Sequence, residues 1–352
     1  MKKKFFTVLL SVLLLGMLLT ACSGASGTNS WAGVTASGSA VYFNNGTTVL
    51  ALRSDNGNVI WTYPEKAATT RLFFAAPVVV GEQLLVEDYS GLLVSLSTRD
   101  GKQLWQFAGA KGRYIDSPLV VNDTIIAQNA DGSIYALDLK GTLLWSFKAK
   151  HAFWATPVSD GKVVYAPSLD HYLYAIDLTN GSLLWKVDLG GPLLGRPLLT
   201  ADGTIYLGTM DNSLVALKSA DGSIVWQQKL SGGVWAAPVI MGDRIYVGDQ
   251  TGNIYLMKVA DGSLIQTMGI GSAILGNGVV MNNSLVFGDE KGEVIVIGSN
   301  GERLWTRSLT GKIYSNLVFS DNQLYVLTTK GDKPLSAYDV NGNELWYYTA
   351  SK

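Results

Sequence analysis

Eight copies of one forty-residue pattern fill almost all of this 352-residue chain, and that repetition limits the fold more than any other feature. A Trp marks each copy: Trp61, Trp105, Trp145, Trp185, Trp226, Trp305 and Trp346. Their intervals are 44, 40, 40, 41, 79 and 41 residues, so the long one is two periods. Its missing member is Gln266, in Asp261-Gly262-Ser263-Leu264-Ile265-Gln266. Four residues before each landmark stands a Gly: Gly57, Gly101, Gly141, Gly181, Gly222, Gly262, Gly301 and Gly342. All but Gly141 follow Asn or Asp, the residues that enter tight turns needing positive φ.

A second landmark opens each unit. Pro77, Pro118, Pro157, Pro197 and Pro238 begin short apolar runs, with Val34, Gly278 and Leu317 as their counterparts. Further runs follow, such as Ile245-Tyr246-Val247 and Ile134-Tyr135-Ala136-Leu137, and the Trp lies in the last. Apolar residues alternate with period two and turn residues interrupt every few positions, which excludes a helical solenoid. Four short strands per unit make one blade, and a ring of blades buries both faces of every sheet. The fold expected is therefore all-β: an eight-bladed β-propeller of four-stranded antiparallel blades. Each unit holds a complete set of strands, so blade 8 is expected to close on blade 1, with a swapped terminal strand as the alternative.

The first residues stand apart. Lys2, Lys3 and Lys4 precede an apolar run from Phe5 to Leu19, short for a membrane span. It ends in Leu19-Thr20-Ala21-Cys22, which resembles a bacterial lipobox. The expected organisation is a lipoprotein signal peptide over 1–21, a lipidated Cys22 with a Gly/Ser-rich tether over 22–30, and one propeller domain over 31–352. Ser23 follows the Cys, with no Asp there; for a cell with an outer membrane, the lipobox resemblance then implies no retention at the inner membrane. Without the three leader lysines the chain has 24 basic and 28 acidic residues, a formal charge of −4. No basic surplus exists for a phosphate backbone, so nucleic acid is not an expected partner. Cys22 is the only Cys, which excludes disulfides within the chain and a Cys-based metal site.

The unit Ala175-Ile176-Asp177-Leu178-Thr179-Asn180-Gly181-Ser182-Leu183-Leu184-Trp185 resembles the tryptophan-docking repeat of the pyrroloquinoline-quinone propellers, with Asn180 where that pattern has Thr. The resemblance runs from Trp31 to Trp346. Two branches share the repeat. The quinoprotein dehydrogenases use a vicinal Cys pair and a calcium ion, which one Cys and no compact acidic loop do not supply. The other branch, the BamB-like lipoproteins, scaffolds the outer-membrane β-barrel assembly machinery, and lipobox, length and repeat number resemble it.

That resemblance implies a non-catalytic, lipid-anchored protein of the cell envelope, a monomer within a complex, with a β-barrel assembly subunit as partner. It also implies no quinone cofactor and no metal. The family's Leu-x-Leu-Arg docking loop has its counterpart in Leu193, Leu194 and Arg196. Its acidic loop residues in the next blade have none in Ser231-Gly232-Gly233-Val234-Trp235. The alternatives are an extracytoplasmic receptor for a small molecule or glycan, and a quinoprotein-like enzyme.

Candidate chemistry is sparse. His151 and His171 have no partners at metal-ligand spacing, and most acids sit in Asp-Gly turns that account for them. One constellation stands out. Three residues before the Pro landmark the units carry Trp31, Phe74, Ile115, Trp154, Leu194, Trp235, Leu275 and Tyr314, all large. In a propeller the first strand lines the central channel. These side chains either form an apolar binding collar at one mouth or pack as core between inner strands. Asp116 and Arg196 follow two of them, as channel-mouth charges that either pair across the channel or contact a ligand.

Overall fold

The computed structural model describes residues 33–66 and 71–349. The leader 1–21, the lipid-attachment residue Cys22, the tether over 22–30 and the collar residue Trp31 lie outside the described residues. Within them the chain forms eight four-stranded antiparallel sheets. The blades span 34–63, 78–107, 119–148, 158–188, 198–229, 239–269, 279–308 and 318–348. Every sheet uses four strands consecutive in sequence, so no strand is exchanged between the ends of the ring.

The core lies between blades. The second and third strands supply it: Ile134 and Ala136 of blade 3 meet Val164 and Ile176 of blade 4, all out of solvent. The same happens at the closure, where Tyr325, Leu335 and Trp346 of blade 8 pack on Val41, Phe43 and Leu52 of blade 1.

Each joint is fastened by the landmark pair. The Trp ring of one blade covers the Gly of the next blade's last turn. A Cβ on Gly101 would meet Trp61 at 2.6 Å, and one on Gly262 would meet Trp226 at 2.5 Å. These glycines hold φ of 70° and 69°, the left-handed region the turn needs. The indole N–H then donates to a backbone carbonyl of the same neighbour: Trp61 to Thr98, Trp105 to Leu139, Trp145 to Leu178, Trp185 to Ser219 and Trp226 to Val259. Trp346 donates to Ser54 at 2.8 Å and so completes the circle. Gln266 fills the vacant landmark, its Oε1 lying 2.6 Å from where a Cβ on Gly301 would stand.

Two consequences are measurable by urea denaturation. Trp145, 8% exposed with its indole bonded, should cost about 3–5 kcal/mol when cut to Ala. Gln266→Trp restores the ring at the one joint that lacks it and should add about 0.5–2 kcal/mol. A Trp145→Ala loss below about 1 kcal/mol would contradict the role given to these joints.

Candidate functional site

The connector leading into each blade is held on both sides. Its middle residue donates its N–H to the second-to-third-strand turn of the preceding blade: Phe73 to Gly46, Tyr114 to Asp88, Phe153 to Asn129, Leu193 to Ser168, Val234 to Thr209, Ile274 to Asp249 and Ile313 to Asp289, at 2.8–3.3 Å. The turn of its own blade donates back to the connector: Tyr89 to Leu72, Ala130 to Arg113, Leu169 to Ala152, Met210 to Pro192 and Gln250 to Gly233. A backbone tied at both flanks has little freedom, so its side chains are aimed. Phe73, Tyr114, Phe153, Leu193, Val234, Ile274 and Ile313 are at most 1% exposed, inside the joints.

The next residue faces the channel. Phe74, Ile115, Trp154, Leu194, Trp235, Leu275 and Tyr314 all line one central cavity of about 590 Å³. All but Phe74 are half-buried. Core packing is thus the work of the residue one place earlier, a position the repeat pattern does not mark as a landmark. Among these seven, blades 2, 4, 6 and 8 contribute aromatic side chains and blades 3, 5 and 7 aliphatic ones. Phe74 stacks on Tyr89 with centroids 3.8 Å apart. Tyr314 donates its hydroxyl to Glu290 at 3.0 Å, and the Lys312 ammonium bonds the same oxygen at 2.6 Å. Lys312 first, then Tyr314, hold the Glu290 carboxyl below its ordinary range.

A polar layer adjoins the collar. Its position, two residues past the collar, is Ser117, Thr156, Arg196, Asn277 and Asn316 in five of the blades. Most of these side chains stitch neighbouring inner strands: Ser117 Oγ donates to Ala76 O and Thr156 Oγ1 to Ser117 O. The Asn277 side-chain carbonyl accepts from Ala237 N–H, and that of Asn316 from Asn277 N–H. Neither amide N–H₂ group donates to a partner among the described residues, and both residues line the cavity. Counting blades in register at the residue before each Pro landmark, two places ahead of each first strand, would have shown this layer in the sequence.

One expectation needs correction, and one of two alternatives falls away. Leu193 cannot belong to an exposed partner loop, because it is fully buried in the core between blades 4 and 5. Of that loop, Leu194 and Arg196 reach the cavity. Asp116 and Arg196 also line it but do not pair. The Asp116 carboxylate accepts Ser117 N–H at 2.8 Å and Thr156 N–H at 3.0 Å, a bond from blade 3 to blade 4. Arg196 is exposed and forms no ion pair among the described residues. Among the described residues the cavity therefore offers an apolar rim, one uncommitted cation and two amide donors, while much of its acceptor capacity is already engaged by backbone N–H groups.

Several other acids serve turns. Asp249 accepts from Thr251 and Asn253 N–H and from the Tyr255 hydroxyl; Asp289 accepts from Lys291 and Glu293 N–H. Among the described residues no group of three His, Cys, Asp or Glu side chains gathers as a metal site. His151 is exposed, and His171 takes a left-handed turn position at φ 78°.

Comparison with known proteins follows the same lines. The family model described as "Outer membrane protein assembly factor BamB" matches residues 44–168, 169–265 and 266–352. The Yersinia pestis protein of that name is 31% identical over 176 residues, 45% of this chain and 44% of the relative. The Moranella endobia protein is 25% identical over the same shares. The matched stretches thus span less than half the length of these relatives. The crystal structure of BamB from Moraxella catarrhalis superposes with a TM-score of 0.73 at 18% identity, covering 85% of this chain and 91% of that one. The computationally designed Ika8 protein superposes at 0.75 and 15% identity, covering 90% and 98%. These two superpositions speak for the fold alone.

Adjacent leucines separate the two layers. Leu193→Ala should cost about 2–5 kcal/mol in thermal or urea unfolding. Leu194→Ala, at a solvent-facing collar position, should stay within about 1 kcal/mol of the parent. Equal losses at both would mean that the collar is core.

Proposed function

Because the chain belongs to the family of outer membrane protein assembly factor BamB, we propose that it is a non-catalytic scaffold of outer-membrane protein assembly. It is held on the periplasmic side of the outer membrane by lipid on Cys22 and works as one copy within a complex. Its partner is a subunit of the β-barrel assembly machinery. The relatives bear the name of an assembly factor, and that is the source of the class of partner.

The observation that carries the docking site is the collar. Rigid, half-exposed aromatic side chains on a hydrogen-bonded frame are the kind of anchor pocket on which binding energy concentrates. A partner segment fits if it lays apolar side chains between Trp154 and Trp235 and brings acceptors to Arg196, Asn277 and Asn316. Ordering cost is small, since the connectors are already fixed at both flanks.

Scaffolding rather than catalysis is supported by how the acid lining the cavity is used: Asp116 accepts backbone N–H groups in an inter-blade bond. The quinone of the dehydrogenase branch does not suit these residues: one Cys makes no vicinal pair, and among the described residues no acidic group gathers for the accompanying cation. We therefore assign the chain no cofactor. A cavity of about 590 Å³ is also of a size for a small ligand, which keeps a receptor role as the second reading.

The test is a pull-down from detergent-solubilised outer membranes with the lipidated wild type, Trp154→Ala/Trp235→Ala and Arg196→Glu. The wild type should retain an assembly subunit. The double variant should lose at least about 2 kcal/mol of binding, roughly thirtyfold in affinity. The charge reversal should weaken capture more at low salt than at high. If the wild type retains no envelope protein, the scaffold reading fails. If the folded double variant binds as well as the parent, the docking site lies elsewhere.

A further inference from the structure

Behind the channel wall, blades 1 to 3 differ from the rest. The inward position near the end of the second strand is Asn44, Glu87 and Gln128 in these blades, but Gly208, Gly248 and Gly288 in blades 5 to 7. At the glycines the next connector fills the space: a Cβ on Gly208 would strike Val234, one on Gly248 Ile274, and one on Gly288 Ile313. The corresponding neighbour of Glu87 is Tyr114. Glu87 is 1% exposed and Tyr114 wholly buried, and neither carboxyl oxygen nor the phenol oxygen has a hydrogen-bond partner among the described residues.

The flanking blades indicate what this position requires. Asn44 donates its amide N–H to Ala75 O, and Gln128 donates to Asp116 O and Ser117 O at 3.0 and 2.8 Å. Both side chains act as donors to the backbone of the channel wall. A carboxylate has no proton to donate, and a buried, unpaired one is strongly disfavoured. A protonated carboxyl has the same donor and acceptor pair as the amides.

We propose that Glu87 is a proton-held latch: its carboxyl carries a proton in the folded protein at neutral pH, and that proton keeps the joint between blades 2 and 3 closed behind the collar. Around it stand Asp88 at the end of its own strand, and Tyr114 and Asp116 on the connector of blade 3. Burial first, then the charges of Asp116 and Asp88, push the Glu87 carboxyl well above its ordinary range. Burial and Glu87 likewise raise the Tyr114 phenol, so it does not compete for negative charge. Arg71 does not answer Glu87: its Nε bonds Asp88 at 2.8 Å and its Nη1 the Tyr63 hydroxyl at 3.1 Å. Ionising Glu87 would set a third negative charge beside Asp88 and Asp116. Those two residues carry the bonds from Tyr114 N–H and Thr156 N–H that hold blade 3 to its neighbours.

The sign of the pH effect follows. A carboxyl raised above its unfolded value of about 4.3 gives stability that is complete below that pH. It is lost as pH climbs towards the folded-state value. Over that window the folded-to-unfolded ratio of the wild type, relative to Glu87→Gln, should fall about tenfold per pH unit.

Infrared difference spectra of wild type minus Glu87→Gln, taken on the intact chain at pH 7, should show the carbonyl stretch of a protonated carboxylic acid. Carboxyl ¹³C titration of the wild type gives the same reading without any variant, as one glutamate signal still protonated at pH 7. Exchange of the Tyr114 amide should accelerate at alkaline pH beyond its intrinsic rate in the wild type, and not in Glu87→Gln. Carboxylate bands alone at pH 7 overturn the latch, as does identical pH dependence of the two proteins. The latch needs no partner, so its failure leaves the docking reading untouched.

Discussion

A four-stranded blade has two faces and no way to cover both, so everything here depends on what holds one blade to the next. That fastening is an indole ring laid over a glycine. The glycine serves twice: its left-handed backbone makes the tight turn, and its missing Cβ leaves room for the ring. The indole N–H then spends its one donor on a carbonyl of the same neighbour. Because the device recurs from Trp61 round to Trp346 and Ser54, the ring closes with the same kind of joint it uses elsewhere. Closure needs no exchanged strand, since the terminal joint is as well packed as an internal one.

The collar follows from that rigidity. Connectors run between adjacent turns that are already fixed, and both flanks supply hydrogen-bond partners. Alternation along an extended backbone then places one side chain in the joint and the next over the channel. This is why Leu193 and Leu194, identical in chemistry, do different things: one is core between blades 4 and 5, the other faces an open cavity. A surface that presents large apolar groups without collapsing onto them is suited to receiving a partner, and the cost of ordering it has been met in folding.

Departures from eightfold regularity are where a particular function is written onto a generic ring. Among the described residues Arg196 is the one cation of the cavity lining. Glu87 and Tyr114 introduce an acid and a phenol at a joint whose counterparts in blades 5 to 7 hold glycine against an aliphatic side chain. Neither is required by the fold, and Glu87 works against it unless neutral.

The architecture is legible in the chain before it folds. The period, the Trp–Gly spacing and the turn residues are local signals, repeated often enough to average out exceptions such as Gln266, and they identify blades, strand number and the large residues of the collar. Apolarity alone is a poorer guide: Leu143 and Leu144 are 47% and 54% exposed on an outer strand, where the register shifts beside the docked Trp. Only the tertiary structure decided which of two adjacent large residues is buried, that Asp116 serves backbone N–H groups instead of Arg196, and that Glu87 stands without a partner. Those facts depend on which groups from different blades, forty residues apart, meet across a joint. A repeat seen one copy at a time carries no record of such meetings.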